Sequence, residues 1–103
     1  MNWIFLLLAA GFEVAFTTTF RLSGNFKNVA ATFAFLISLL MSLFFLQLAI
    51  RSIPLGTAYA IWTGIGAIGT VAIGMAWFGE PVTALRIVLI LSIVAATIAL
   101  KFA

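Results

Sequence analysis

The chain contains two acidic side chains, Glu13 and Glu80, and no cysteine or histidine. Without cysteine there are no disulfides and no thiol catalysis, and without histidine the commonest neutral metal ligand is missing. We therefore predict no metal site, no cofactor and no enzymatic reaction. Glu13 lies in GFEVAFTTTF (residues 11–20), inside a run that carries no other charged side chain before Arg21. The chemistry open to Glu13 is reversible proton binding and pairing with a cation.

The elements that must position Glu13 are transmembrane helices. Hydrophobic residues make up 66% of the chain and charged residues 7%, whereas soluble domains carry about 25% charged residues. A membrane-spanning helix needs about 20 mostly apolar residues. Four apolar segments of about this length predict an all-α, multi-pass protein of the cell (inner) membrane, with one four-helix domain over residues 1–103. The predicted helices cover residues 3–20, 29–50, 54–79 and 84–102.

The breaks between these segments carry helix start and stop signals. Pro54 is predicted at the start of the third helix, Gly79 and Pro81 mark the stop before the fourth, and Thr83 is the predicted N-cap of the fourth. Glu80 falls in this last break, near Arg86, where we expect it to be solvated.

Glu13 is predicted to lie near the middle of the bilayer. Trp3 marks the membrane interface, and a helix that rises 1.5 Å per residue from Trp3 places Glu13 about 15 Å deep. Insertion scales penalise a charge at that depth by about 2.5 to 3.5 kcal/mol, and the sequence offers no basic residue at the same level. We expect an unpaired carboxyl there to hold its proton, and intramembrane acids are usually functional. The alternative is a permanently protonated Glu13 that bonds a neighbouring helix.

Helical spacing suggests which side chains surround Glu13. Phe16 and Thr17 follow it by three and four residues and so share its face. Tyr59 and Trp62, three residues apart in the third segment, form a candidate aromatic box for a cation, although ordinary packing is the other interpretation. Ser42 of the second segment is predicted at the same level, as a site residue or as helix–helix glue. Thr18 and Thr19 are expected to bond their own backbone carbonyls.

Gly64, Gly66 and Gly69 match the spacing of a dinucleotide-binding fingerprint. That motif works at a strand-to-helix turn, and these glycines lie inside an apolar span, so nucleotide binding is not predicted. Glycines in a membrane helix permit a kink or a close helix crossing. We predict a hinge at Gly64 and Gly66.

The charges at the two membrane surfaces give little preference for one orientation. Arg51 and Lys101 belong to one side, and Arg21, Lys27 and Arg86 belong to the other, which is a weak bias under the positive-inside rule. The chain either keeps a single topology or inserts both ways. Dual insertion would allow two copies to pair antiparallel and to reproduce the inverted-repeat symmetry of transporters.

Several stretches together resemble the small multidrug resistance family of proton-coupled exporters. They are Glu13-Val14, the run PLGTAYAIWTGIG (residues 54–66) and GEP (residues 79–81), and the resemblance covers nearly the whole chain. The last two stretches are most similar to the guanidinium exporter branch.

This resemblance implies an antiparallel, dual-topology dimer with alternating access. It implies that protons and small organic cations are the partners, together with membrane lipid and a second copy of the chain; a related second chain is the alternative partner. It assigns one role to each matching residue: proton and substrate binding to Glu13, site lining to Tyr59 and Trp62, hydrogen bonding to Ser42, and the bend of the third helix to Gly64 and Gly66.

The first helix departs from the guanidinium branch. Members of that branch usually carry tryptophan at the position of Phe16 and lysine at the position of Arg21, and the threonines at 17 and 18 are more similar to the multidrug branch. Phe16 cannot donate the indole hydrogen bond. Guanidinium export is therefore the favoured function, with export of quaternary ammonium and other drugs, a passive cation channel and a non-transporting membrane subunit as alternatives.

Overall fold

A computed structural model describes residues 2–103 as four α-helices joined by short loops. Helix α1 spans Asn2–Leu22, α2 spans Val29–Ala49, α3 spans Leu55–Trp77 and α4 spans Ala84–Phe102. Each is long and apolar enough to cross a bilayer. The prediction of four membrane-spanning helices is confirmed, and the bounds differ by no more than two residues at each end. The largest differences lie in α1, which continues to Leu22, and in α3, which stops at Trp77.

Local signals at the helix ends explain these bounds. Pro54 is the N-cap of α3 and not its first helical residue. The predicted cap of α4 is confirmed, since the Thr83 hydroxyl accepts a hydrogen bond from the Arg86 backbone N–H at 3.1 Å. Asn28 caps α2 in the same way through Ala31. Gly79 adopts a left-handed φ of 69°, which directs the chain away from α3 and ends that helix two residues before the predicted position.

The helices form a thin layer, with extents of 41 × 35 × 17 Å. Helix α1 packs against α2 on one side and α3 on the other, and α4 packs on the far side of α3. The buried core is formed by α1, the end of α2, the α2–α3 loop and the first turns of α3. Its members are Leu6, Ala49, Ile53, Ala58 and Ile61. Within the described part of the chain α4 has no buried residue. Large apolar side chains are therefore exposed along all four helices, as expected of surfaces that face lipid or another subunit.

Candidate functional site

Glu13 lies on α1 with its side chain directed at α3. The side chain is partly buried, and its Oε1 atom is fully buried and accepts no hydrogen bond from the described residues. The carboxylate lies against the buried Gly66 of α3, since a Cβ at that position would overlap it. The only salt bridge within residues 2–103 joins Arg86 to Glu80, so no basic side chain neutralises Glu13.

A hydrogen-bonded network lies one helical turn before Glu13. The Ser42 hydroxyl of α2 donates to the Ala9 carbonyl oxygen at 2.7 Å, and the indole Nε1 of Trp62 donates to Ser42 Oγ at 3.0 Å and to the same carbonyl at 3.3 Å. In an α-helix the Ala9 carbonyl is also the acceptor for the Glu13 backbone N–H. The network therefore joins α2 and α3 to the turn of α1 that carries Glu13.

Tyr59 and Trp62 lie together on α3, as their spacing predicted. Their ring centroids are 5.7 Å apart and the rings are tilted by 51°. Trp62 is partly buried, whereas 56% of Tyr59 is exposed. The two rings thus form a candidate aromatic wall that is open on the Tyr59 side.

The three threonines after Glu13 divide into two groups. Thr18 and Thr19 donate to the carbonyl oxygens of Val14 and Ala15 at 2.8 Å each, as expected from the sequence. Thr17 also donates to the Val14 carbonyl, at 3.0 Å. In addition its Oγ1 lies 2.7 Å from Oγ1 of Thr70 on α3. The sequence predicted that Thr17 shares a helix face with Glu13, and in the structure its hydroxyl joins α1 to α3.

Phe16 lies on the α2 side of α1. Its ring meets Phe35 edge-on at 6.2 Å between centroids. Phe20 and Phe26 also contact Phe35, at 5.2 and 6.1 Å. A hollow of about 230 Å³ lies beside this cluster, lined by Phe16, Thr17, Phe20 and Phe35. Thr17 is the only one of these four lining side chains that carries a polar group.

The α1–α3 contact depends on glycines for which the sequence predicted a kink or a close helix crossing. A Cβ at Gly66 would meet Glu13, and a Cβ at Gly69 would meet Val14. A Cβ at Gly64, in contrast, would meet the Thr97 hydroxyl of α4. Helix α3 is continuous from Leu55 to Trp77 through all three glycines. The glycines therefore permit close helix contacts, and the hinge at Gly64 and Gly66 stays a prediction.

Two groups beside Glu13 were missed by sequence reasoning, the Ala9 carbonyl and Thr70. A backbone carbonyl leaves no trace in a sequence. Thr70 lies four residues after Gly66, as Thr17 lies four residues after Glu13, so the two pairs repeat the same spacing on facing helices. That shared register is the signal that identifies Thr70.

The second carboxylate belongs to a separate structural feature at the α3–α4 loop. Glu80 Oε1 accepts a hydrogen bond from Arg86 Nη2 at 3.0 Å, and the Glu80 backbone N–H donates to the Gly74 carbonyl at 3.1 Å. The two side chains are 37% and 35% exposed, so Glu80 is less solvated than the sequence suggested. A Cβ at Gly74 would overlap its carboxylate. Glu80 thus stabilises the α3–α4 loop, and its carboxylate is already paired with Arg86.

This arrangement suits a small cation that enters from outside the protein. Glu13 provides a carboxylate with an unsatisfied buried oxygen, Trp62 is held by two acceptors, and Tyr59 adds an exposed aromatic face. Carboxylates attract cations by charge, and aromatic faces attract them through the ring quadrupole. A proton is the smallest cation that the same carboxylate binds.

The fold and this candidate site define a multi-pass membrane protein with one partly buried, unpaired carboxylate between its first and third helices. The family model for Small Multidrug Resistance proteins matches residues 1–102. The chain belongs to the small multidrug resistance family.

Its relatives include bacterial proteins named for guanidinium. The "Guanidinium exporter" of Yersinia pseudotuberculosis is 39% identical over 103 residues, which is 100% of this chain and 99% of the exporter. The "Probable guanidinium efflux system subunit" of Bacillus licheniformis is 38% identical over 101 residues, covering 98% of this chain and 97% of the relative. An uncharacterized membrane protein of Bacillus subtilis is 37% identical over 101 residues, or 98% of this chain and 85% of that protein.

Proposed function

We propose that this protein is a proton-coupled antiporter that exports small organic cations, with guanidinium or a substituted guanidinium as the favoured substrate. The observation that carries the proposal is the buried Oε1 atom of Glu13, which has no hydrogen-bond donor and no basic partner among the described residues. Such an atom is costly in a membrane unless a proton or a cation satisfies it. The names of the relatives favour guanidinium as that cation.

Competition at Glu13 provides the coupling. A proton and an organic cation neutralise the same carboxylate and exclude each other, so each displaces the other. Proton entry on one side then releases the cation there, and cation binding on the other side releases the proton. A transporter exchanges the two ions if its binding site moves from one side of the membrane to the other only when a proton or an organic cation is bound.

We propose that the working unit is an antiparallel homodimer in which two copies insert in opposite orientations. A single chain leaves Tyr59 exposed and α4 without buried residues, and a second copy provides the missing cover. The balanced surface charges are compatible with insertion in both directions. Pairing with a related chain is the alternative, favoured by the word "subunit" in the name of the Bacillus licheniformis relative.

Orientation can be measured by cysteine labelling, because the chain has no cysteine of its own. An Ala103→Cys variant in sealed vesicles is treated with a membrane-impermeant maleimide before and after permeabilisation. Dual topology predicts that about half of the cysteines react before permeabilisation, because nearly equal numbers of basic residues on the two sides give little preference for one orientation. Labelling of nearly all or nearly none of them shows a single orientation and excludes the antiparallel homodimer.

The decisive experiment for transport uses both carboxylates of the chain. Purified protein in liposomes is given a pH gradient and guanidinium, and uphill uptake is measured for the parent, Glu13→Gln and the matched control Glu80→Gln. We expect the parent and Glu80→Gln to accumulate guanidinium and Glu13→Gln to lose uptake while remaining folded by circular dichroism. Coupled uptake by Glu13→Gln contradicts the role of Glu13. Guanidinium flux that follows only its own gradient in the parent identifies a passive channel.

A second candidate function is the export of bulkier quaternary ammonium cations. The phenylalanine-lined hollow beside Thr17 favours it, because aromatic faces and apolar walls suit cations that carry no N–H group. Transport currents with guanidinium and with a bulky quaternary ammonium, measured on one preparation, separate the two. Larger currents with guanidinium support the first candidate.

A further inference from the structure

Two hollows adjoin around Trp3 and Lys101, at the end of the layer where α1 and α3 begin and α4 ends. The first hollow has a volume of about 280 Å³, and its mostly apolar lining includes Leu7, Ile61, Ile65 and Ile98. The second has a volume of about 300 Å³ and lies beside the α2–α3 loop, where its lining includes Ser52 and Thr57. Trp3 and Lys101 line both hollows, so an apolar and a polar surface meet at this pair.

The Lys101 ammonium has no anionic partner within residues 2–103. Its Nζ atom lies 5.3 Å from the centroid of the Trp3 ring and 5.5 Å from that of the Phe102 ring, so aromatic faces hold the cation. The only salt bridge of the described chain belongs to Glu80, which lies beyond the opposite end of α3. Glu13 lies half-way along α1, against α3. The charge of Lys101 is therefore available to an anion from outside the chain.

The position of the two hollows in the membrane determines the chemistry of that anion. Trp3 lies in the first turn of α1 and Lys101 in the last turn of α4, where membrane helices meet the lipid headgroups. The apolar hollow reaches Ile65, ten residues after the start of α3 and thus about 15 Å along that helix. A ligand that fills both hollows carries a negative charge at the membrane surface and a hydrocarbon chain beneath it. Basic pockets between membrane helices bind anionic lipid headgroups.

We propose that these two hollows bind one anionic phospholipid. Its phosphate lies in the polar hollow and pairs with Lys101, and one of its acyl chains lies in the apolar hollow against Leu7 and Ile98. An amphipathic organic cation does not suit this place, because Lys101 repels it. The inference goes beyond the proposed export of cations and does not depend on it. Neither hollow is lined by the proposed transport residues Glu13, Ser42, Tyr59 and Trp62.

The test measures lipid binding to the purified full chain in detergent by native mass spectrometry. The protein is titrated with dioleoylphosphatidylglycerol and, separately, with dioleoylphosphatidylethanolamine, which has the same acyl chains and no net charge. Lys101→Gln removes the proposed partner of the phosphate. Leu7→Trp narrows the apolar hollow without changing the charge, and Leu7 is 59% exposed, so the larger side chain does not disturb the core. Arg51→Gln is the matched control, because Arg51 belongs to the adjoining α2–α3 loop and lines neither hollow.

We expect the parent protein to bind phosphatidylglycerol saturably and more tightly than phosphatidylethanolamine. Lys101→Gln should raise the Kd for phosphatidylglycerol about fivefold, the effect of one basic side chain at an anionic lipid surface. It should also reduce the difference between the two lipids. Leu7→Trp should weaken both lipids, and Arg51→Gln should keep the parent Kd.

Four results would overturn the proposal. Equal affinity of the parent for the two lipids removes the role of charge, and this comparison needs no variant that has to fold. Equal losses in Lys101→Gln and Arg51→Gln show general attraction to a basic surface. Displacement of the lipid by excess inorganic phosphate, or an unchanged Kd in Leu7→Trp, shows an anion site without an acyl-chain site. A parent protein that binds no lipid shows that another element, such as a second copy of the chain, covers the two hollows.

Discussion

The Glu13 carboxylate lies directly on Gly66, at a place where any side chain larger than hydrogen would overlap it. The contact joins the only membrane-embedded carboxylate to the helix that carries Tyr59 and Trp62. Gly66 is itself buried, so a substituent there has no free direction in which to move. The glycine thus sets the position of the Glu13 carboxylate, the proposed binding group, as well as the distance between α1 and α3.

This contact predicts the effect of Gly66→Ala. The added methyl group forces the Glu13 carboxylate or the two helices to shift, and we expect guanidinium transport to fall at least tenfold. The matched control is Gly56→Ala in the same helix, where a Cβ meets nothing within 4 Å. Liposome uptake at equal protein content measures both variants.

A compensating change sharpens this prediction. Glu13→Asp shortens the side chain by one methylene, so the double variant Gly66→Ala with Glu13→Asp should transport better than Gly66→Ala alone. Parent-level uptake by Gly66→Ala would show that the carboxylate does not depend on this contact.

The sequence was sufficient to predict the four helices, because long apolar runs are a strong signal. It also marked Glu13 as a candidate site residue, because an acid within such a run is costly. The Tyr59–Trp62 pair follows from three-residue spacing within one helix. The contacts of Gly66, Gly69 and Thr70 depend on how α1 crosses α3, and that crossing is a property of packing between helices, which the pattern within one helix does not determine. The role of Gly66 as a contact for Glu13 was missed for this reason.

Ser42→Ala tests the hydrogen-bonded network one turn before Glu13. The variant removes Ser42 Oγ, which is one of the two acceptors of the Trp62 indole N–H. The remaining hydrogen bond, to the Ala9 carbonyl oxygen, is longer, at 3.3 Å. We expect the KM for guanidinium to rise by about threefold to twentyfold, since one interhelical hydrogen bond in a membrane is worth about 0.6 to 1.7 kcal/mol. The control is Ser92→Ala, whose hydroxyl bonds only the Val88 carbonyl of its own helix. Equal KM values for the two variants would show that Ser42 does not support the site.

The apparent affinity for guanidinium should depend on pH through Glu13. As pH falls, protons occupy the carboxyl and exclude the cation, so the Kd rises by about tenfold per pH unit once the carboxyl is mostly protonated. As pH rises, the Kd becomes constant. Glu80→Gln should keep this profile, because Glu80 pairs with Arg86 at the α3–α4 loop. Isothermal titration in detergent measures the Kd. A Kd that does not change with pH would show that the proton and the cation do not compete for Glu13.

Gly74→Ala should destabilise the α3–α4 loop without entering the transport site. A Cβ at residue 74 would displace the Glu80 carboxylate, and with it the 3.0 Å ion pair to Arg86. Since both side chains are more than a third exposed, solvent screens the pair, and it contributes only about 0 to 1 kcal/mol. We therefore expect a Tm a few degrees lower for Gly74→Ala, with a smaller decrease for Glu80→Gln, which removes the charge but leaves the backbone contact. The KM for guanidinium should be unchanged in both variants. A raised KM in Gly74→Ala, with an unchanged KM in Glu80→Gln, would show that a change at this end of α3 alters the positions of Gly66 and Glu13.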